Sequence, residues 1–255
     1  MEAGINLFSL RQLVNSEKEF FELISKLKDM GYSYLQVSGL SLKAEEIARA
    51  SKKSGLPVYL THSSLDRLLN DADTVMAENA LFGCKNIGLG YLTPEIIADE
   101  KQCKDTVSRL GDVAVKLKKN GFTFFFHHHH NEFFKYGNQT VFDYILENMP
   151  EVHFIVDTYW IQYGGANTVT IFDKLRDRAE CIHLKDYKLR QQKGSAWCEP
   201  HFAPVGAGTL DFSEIVKAAK KAGARYFFVE QDDAGEYSDP LAQVEDSIKF
   251  IKFNL

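Results

Sequence analysis

Cysteine is scarce in this chain, four in 255 residues. Cys84, Cys103, Cys181 and Cys198 show no CxxC or other zinc spacing, which argues against a zinc ribbon or a disulfide scaffold. They read as the reduced thiols of a cytoplasmic protein. Positive charge is not in excess either: 30 Lys plus Arg against 35 Asp plus Glu leave a formal charge of −5. Nucleic-acid phosphates need clustered Lys and Arg, so broad nucleic-acid binding is not expected. No apolar run approaches the roughly 18 residues of a membrane span, and Met1-Glu2-Ala3-Gly4 lacks the basic and apolar regions of a signal peptide. Also missing are a GxGxxG after the first apolar run and a GxxxxGK[ST] anywhere, which argues against dinucleotide and P-loop chemistry. With no linker and no low-complexity segment, residues 1–255 read as one domain.

What is present is ordinary globular composition, 45% hydrophobic and 25% charged, with one oddity: four of the eight histidines are consecutive, His127 to His130. Gly31, Gly55, Gly83, Gly121 and Gly223 each close a run of helical periodicity and precede a short apolar run. Several of these endings place lysine just before the glycine, as a helix C-terminus favours. Eight strands are predicted: Ile5–Phe8, Tyr34–Val37, Val58–Thr61, Asn86–Leu89, Phe122–His129, His153–Asp157, Cys181–Lys185 and Tyr226–Gln231. Helical segments fall at about 16–30, 41–54, 70–82, 100–120, 139–149, 168–177, 211–222 and 240–253. The first opens with a capping box, Ser16 and Glu19, before the stripe Phe20, Leu23, Ile24 and Leu27, and Asp211 or Ser213 caps the seventh. Strict alternation implies parallel βαβ units. Eight of them predict a closed (β/α)₈ barrel, with a doubly wound sheet as competitor.

In such a barrel the site forms at the C-terminal ends of the strands. The sixth strand ends in Asp157, the seventh carries His183 with Lys185 two positions on, and the eighth ends in Glu230. Two carboxylates and an imidazole converging from adjacent strands suit one divalent metal, Mn²⁺, Mg²⁺, Co²⁺ or Zn²⁺. In the fifth strand, alternation puts His127 and His129 on one face and His128 and His130 on the other, so the run is no four-histidine cage. Packing or hydrogen bonding against the helices is the expected role of His128 and His130.

These residues resemble the xylose-isomerase-like TIM-barrel superfamily of sugar phosphate isomerases and epimerases. The nearer resemblance is to a branch whose fifth strand reads Tyr-His-Asn-His-Asp-Phe-Glu-Phe, against Phe126-His-His-His-His-Asn-Glu-Phe133 here. Asp157-Thr-Tyr-Trp160, His183-Leu-Lys-Asp186, Pro204 to Phe212 and Val229-Glu-Gln-Asp-Asp233 carry it through the C-terminal half. The N-terminal half matches only in rhythm and in His62. The resemblance implies four metal ligands at strands five to eight, best matched by His127, Asp157, His183 and Glu230, and a carbohydrate substrate. Histidine replaces the usual glutamate at the first position, which puts a two-glutamate mechanism in doubt and leaves Glu132, Glu230 and Lys185 as candidate catalytic groups. The histidine pair with His-x-Lys-Asp and Glu-Gln-Asp is also similar to the inosose dehydratases.

The expected activity is therefore metal-dependent isomerisation or epimerisation of a small keto-sugar or polyol through an enolate. Dehydration of a keto-cyclitol or keto-glycoside is the second possibility, and endonuclease IV-type DNA repair is disfavoured by charge. His129, His62, Gln36, Trp160 and Tyr159 are the expected substrate contacts, the last two with rim packing as the bland alternative. For Lys185 the bland alternative is a surface pair with Asp186. The long connection from Tyr187 to Thr209, with Trp197, Glu199 and His201, is expected to form a lid or selector. Lys188, Arg190 and Lys193 within it could meet a phosphate, but the substrate is expected to be unphosphorylated. A homodimer is the expected assembly.

Overall fold

The computed structural model describes residues 1–255. Eight parallel strands close into one barrel: β1 (Gly4–Asn6), β2 (Leu35–Val37), β3 (Val58–Ser63), β4 (Asn86–Leu89), β5 (Thr123–His127), β6 (His153–Asp157), β7 (Cys181–Leu184) and β8 (Tyr226–Val229). Each pairs with its sequence neighbours, and β8 returns to β1 through Gly4 opposite Phe228. The closed barrel rules out the doubly wound alternative.

The helices form where periodicity and caps place them. Glu17–Met30 starts with Ser16 accepting the Glu19 N–H, buries Phe20, Leu23, Ile24 and Leu27, and stops at Gly31, whose φ of 101° suits glycine. Asp211, not Ser213, caps Phe212–Lys221 by accepting the Glu214 N–H. Three short helices lie where only loops were expected, at Leu65–Asn70, Pro94–Ala98 and Thr158–Tyr163. The long connection after β7 is an antiparallel hairpin arm, Asp186–Gln191 paired with Cys198–Ala203. No helix is long and apolar enough to cross a membrane.

The core has two parts. The larger lies between strands and helices. The smaller, Tyr34, Leu60, Phe125, Ile155, Cys181 and Phe228, fills the barrel interior. This inner layer sets the site by simple alternation. Two residues further along the same six strands stand Gln36, His62, His127, Asp157, His183 and Glu230, on the same inward face. Apolar plugs below and polar groups above are thus consecutive layers of one barrel.

Candidate metal centre

His127, Asp157, His183 and Glu230 are all buried, and one donor atom from each lies within 4.8 Å of every other. These atoms are His127 Nε2, Asp157 Oδ2, His183 Nδ1 and Glu230 Oε2; all are buried, none makes a well-aligned hydrogen bond, and they crowd one another, with His183 Nδ1 2.7 Å from Glu230 Oε2. The opposite atom of every one of the four side chains is satisfied. His127 Nδ1 donates to the Gly90 carbonyl at 3.1 Å. Asp157 Oδ1 accepts the Trp160 N–H at 2.9 Å. His183 Nε2 donates to Gln36 Oε1 at 2.7 Å, and Glu230 Oε1 accepts from Asn6 Nδ2 at 2.6 Å. Four donor atoms of metal-ligating type converging on one point, each side chain held by a partner behind it, is an arrangement a cation completes. Two imidazoles and two carboxylates suit a borderline or hard divalent ion. The residues fit the group that the sequence implied.

Charge in the cluster follows from burial and contact. Burial opposes ionisation of Asp157 and Glu230, but the Lys185 ammonium and nearby imidazoles hold both carboxyls well below the usual carboxylate range. Burial likewise opposes a charge on His183, yet the Glu230 and Asp157 carboxylates prevail and push it up to about 9. Lys185 is not a surface residue paired with Asp186: it is buried, with Nζ 2.9 Å from Asp232 Oδ1, 3.4 Å from Glu230 Oε2 and 3.5 Å from Asp157 Oδ2. Asp186 instead accepts the N–H groups of Tyr187, Gly206, Gly208 and Leu210, tying down the return from the arm.

A cavity of about 610 Å³ opens on this cluster, lined by His127, Glu230, Lys185, Asp232, His62 and His129, among others. Its other walls come from the loops after β1 to β4, including Phe8, Ser38, Ser64, Asp66, Tyr91 and Thr93. His62 and His129 thus reach the cavity as expected. The remaining expected substrate contacts do not line it. Gln36 is buried between His183 and His62, so its amide is consumed inside the protein. Tyr159 is buried in a rim cluster with Tyr163, Tyr187 and Phe202, and Trp160 lies against His130 and Lys185. Their placement follows from Asp157 capping the helix Thr158–Tyr163, which turns the aromatics to the rim. Glu132 is fully buried outside the cavity lining, accepts the His129 N–H at 2.9 Å, and is pushed up to about 7 by burial.

The histidine run divides at the end of β5. His128 faces outward, packs edge-on against Phe133 and Phe142, and accepts the Asp157 N–H at Nε2. Burial lowers it to about 3, so the neutral ring can accept. His130 stacks on Trp160. No residue from Tyr187 to Thr209 lines the cavity, and Arg190 bonds the Tyr237 hydroxyl. Sequence reasoning missed Asn6 and Asp232. Asn6 was hidden because the first strand was read to Phe8; it ends at Asn6, the polar strand-end residue that signals a site. Asp232 follows Glu230 by two and lines the cavity beside it.

Comparison with known proteins agrees with this picture. The chain superposes on a sugar phosphate isomerase/epimerase from Parabacteroides distasonis ATCC 8503 with a TM-score of 0.80 at 20% identity, covering 99% of this chain and 98% of that one. A 3-keto-D-glucoside 4-epimerase from E. coli, in apo form, gives 0.68 at 21% identity over 99% of each chain. A xylose isomerase-like TIM barrel protein from Mycobacterium smegmatis, in complex with magnesium, gives 0.74 at 12% identity over 98% of this chain and 95% of that one. At these identities the likenesses establish the fold. No curated protein matches the sequence. The family model described as xylose isomerase-like TIM barrel matches residues 24–253, nearly the whole barrel, and the chain belongs to that family.

Proposed function

We propose that the protein is a divalent-metal-dependent isomerase or epimerase of a small, uncharged keto-sugar or polyol. The observation that carries this reading is the set of four buried donor atoms converging beside the cavity, two of them (from His127 and Glu230) on residues of its lining, each side chain backed by its own hydrogen bond. His127, Asp157, His183 and Glu230 would hold the ion. A bound divalent cation polarises a ketone and lowers the pKa of the adjacent C–H. The chain supplies the rest. His129 lines the cavity with its Nδ1 free of protein partners for a substrate hydroxyl, and His62 lines it with both ring nitrogens already engaged by Gln36 and Ser38. The Lys185 ammonium lies beside the donor atoms, where negative charge develops on an enolate oxygen. Glu132 does not line the cavity, whereas Glu230, Asp232 and Lys185 do, and these are the groups placed to exchange a proton at carbon. Lys185 is the one cation of the lining and is held by three carboxylates, which supports a substrate without phosphate.

One feature favours a second reading, dehydration of a keto-cyclitol or keto-glycoside. His127 occupies the position where a two-carboxylate epimerase would place its other base, while the Lys185 ammonium in the lining would stabilise negative charge on a departing hydroxyl. The test is metal analysis followed by incubation with keto-sugars and inososes in D₂O. Deuterium next to the carbonyl is expected, with inverted stereochemistry for the epimerase and loss of water for the dehydratase. A metal-loaded protein that incorporates no deuterium across the panel overturns both.

A further inference from the structure

The geometry points to a one-way hydrogen-bond chain, His183–Gln36–His62–Ser38, in which Gln36 is a positioning residue that fixes both histidine tautomers. Gln36 Oε1 lies 2.7 Å from His183 Nε2, and Gln36 Nε2 lies 2.8 Å from His62 Nε2. His62 Nδ1 lies 3.2 Å from Ser38 Oγ. The direction follows from one requirement. A histidine that offers Nδ1 to a cation carries its proton on Nε2, and that proton needs an acceptor. Gln36 has a single acceptor, its carbonyl, so the carbonyl faces His183 and the NH₂ group faces His62. His62 Nε2 must then be a bare lone pair, its proton sits on Nδ1, and Ser38 Oγ receives it.

Ser38 and His62 both line the cavity, so the chain joins a buried ligand to the substrate space. Having accepted from His62, Ser38 has its own O–H left to give, which makes that wall a donor toward a substrate oxygen. His62 has no room to turn away. Its ring stacks on His127 with centroids 5.1 Å apart. A Cβ on Gly88 would come 2.9 Å from His62 Cδ2, and one on Gly90 would come 3.1 Å from Nδ1. Glycine at both positions leaves the ring its place.

The chain rests on the metal reading of His183 but on no particular reaction, so it is tested without substrate. Long-range ¹H–¹⁵N spectra of the full chain loaded with Zn²⁺ report the tautomer of each histidine. The expected result is His183 protonated on Nε2 and His62 on Nδ1. If zinc binds and His62 carries its proton on Nε2, the chain is overturned while the metal site stands; if zinc does not bind at these residues, both fall. Two variants separate positioning from packing. Gln36→Leu removes the acceptor and is expected to weaken zinc binding by about 10–100-fold. Gln36→Glu keeps an acceptor for His183, so it is expected to recover that affinity. Its second oxygen accepts where the amide donated, so His62 is expected to switch its proton to Nε2. An unchanged His62 tautomer in folded Gln36→Glu, or equal affinity losses in the two variants, overturns the assignment.

Discussion

At the C-terminal ends of strands β5 to β8 stand His127, Asp157, His183 and Glu230, whereas Asn6, Gln36 and the Gly90 carbonyl, at the ends of β1, β2 and β4, hold three of those four side chains. The two halves of the barrel share one site but meet different demands. A ligand must offer a carboxylate or imidazole atom to a cation, which restricts it to a few residue types. A support needs only one N–H or C=O at hydrogen-bond distance, which an amide supplies and, for His127, a backbone carbonyl supplies. The ligand half is charged and conspicuous, and the supporting half is neutral and chemically plain. Asp157 is the exception, since its support, the Trp160 N–H, comes from its own helix.

The division predicts losses of different kinds. Asp157→Ala and Glu230→Ala are expected to leave no metal after gel filtration, measured by elemental mass spectrometry. They are also expected to cost about 3–5 kcal/mol of stability in urea unfolding, because Lys185 stays buried with its charge less compensated. Variants that kept stoichiometric metal would remove the ligand half of the comparison. Glu132 gives the next effect. Its carboxyl is raised to about 7 against an ordinary value of 4.5, so the folded state holds its proton more tightly than the unfolded one. Stability from this group is fullest below the ordinary pKa, falls as pH rises, and levels off above about 7, a change of about 3 kcal/mol. Glu132→Gln is expected to flatten that slope in urea melts at pH 5 and 8. An undiminished slope would show that the Glu132 carboxyl is not the group titrating.

Asn6→Leu tests the supporting half with a smaller effect. Glu230 loses its partner at Oε1 but keeps Oε2, so Mn²⁺ affinity by calorimetry should fall about 10–100-fold with stoichiometry retained. Outright loss of metal, as in Asp157→Ala, would erase the distinction between ligand and support.

Legibility in the sequence followed the same line. Strand alternation needs only the apolar pattern, so Phe125 and His127, Ile155 and Asp157, or Cys181 and His183 could be placed on common faces in advance. Eight such runs separated by helices made the barrel readable as well. Gln36 and His62 were readable as strand-end polar groups, but not the contact between them, because it depends on the register of two neighbouring strands, which shifts at Leu35/Gln36. Tyr159 and Trp160 looked like stacking platforms beside a ligand. The short helix capped by Asp157 turned them to the rim, and a capped helix of six residues carries too little periodicity to announce itself.

The arm shows the opposite failure, a pattern that was present and passed over. Asp186-Tyr-Lys-Leu-Arg-Gln191 alternates polar and apolar residues as a strand does, but Pro200 in the returning segment argues against a central strand. The hairpin accommodates it because the pair stands alone as a two-stranded sheet, with Pro200 opposite Leu189. Trp197 at the turn is 80% exposed and lies outside the cavity. Trp197→Ser should therefore change stability by less than about 0.5 kcal/mol and leave metal affinity unaltered. With a turned-over substrate in hand, its KM should not move either. A raised KM with unchanged stability would mean that the arm folds over the bound substrate, and the cavity wall would then extend beyond the barrel ends.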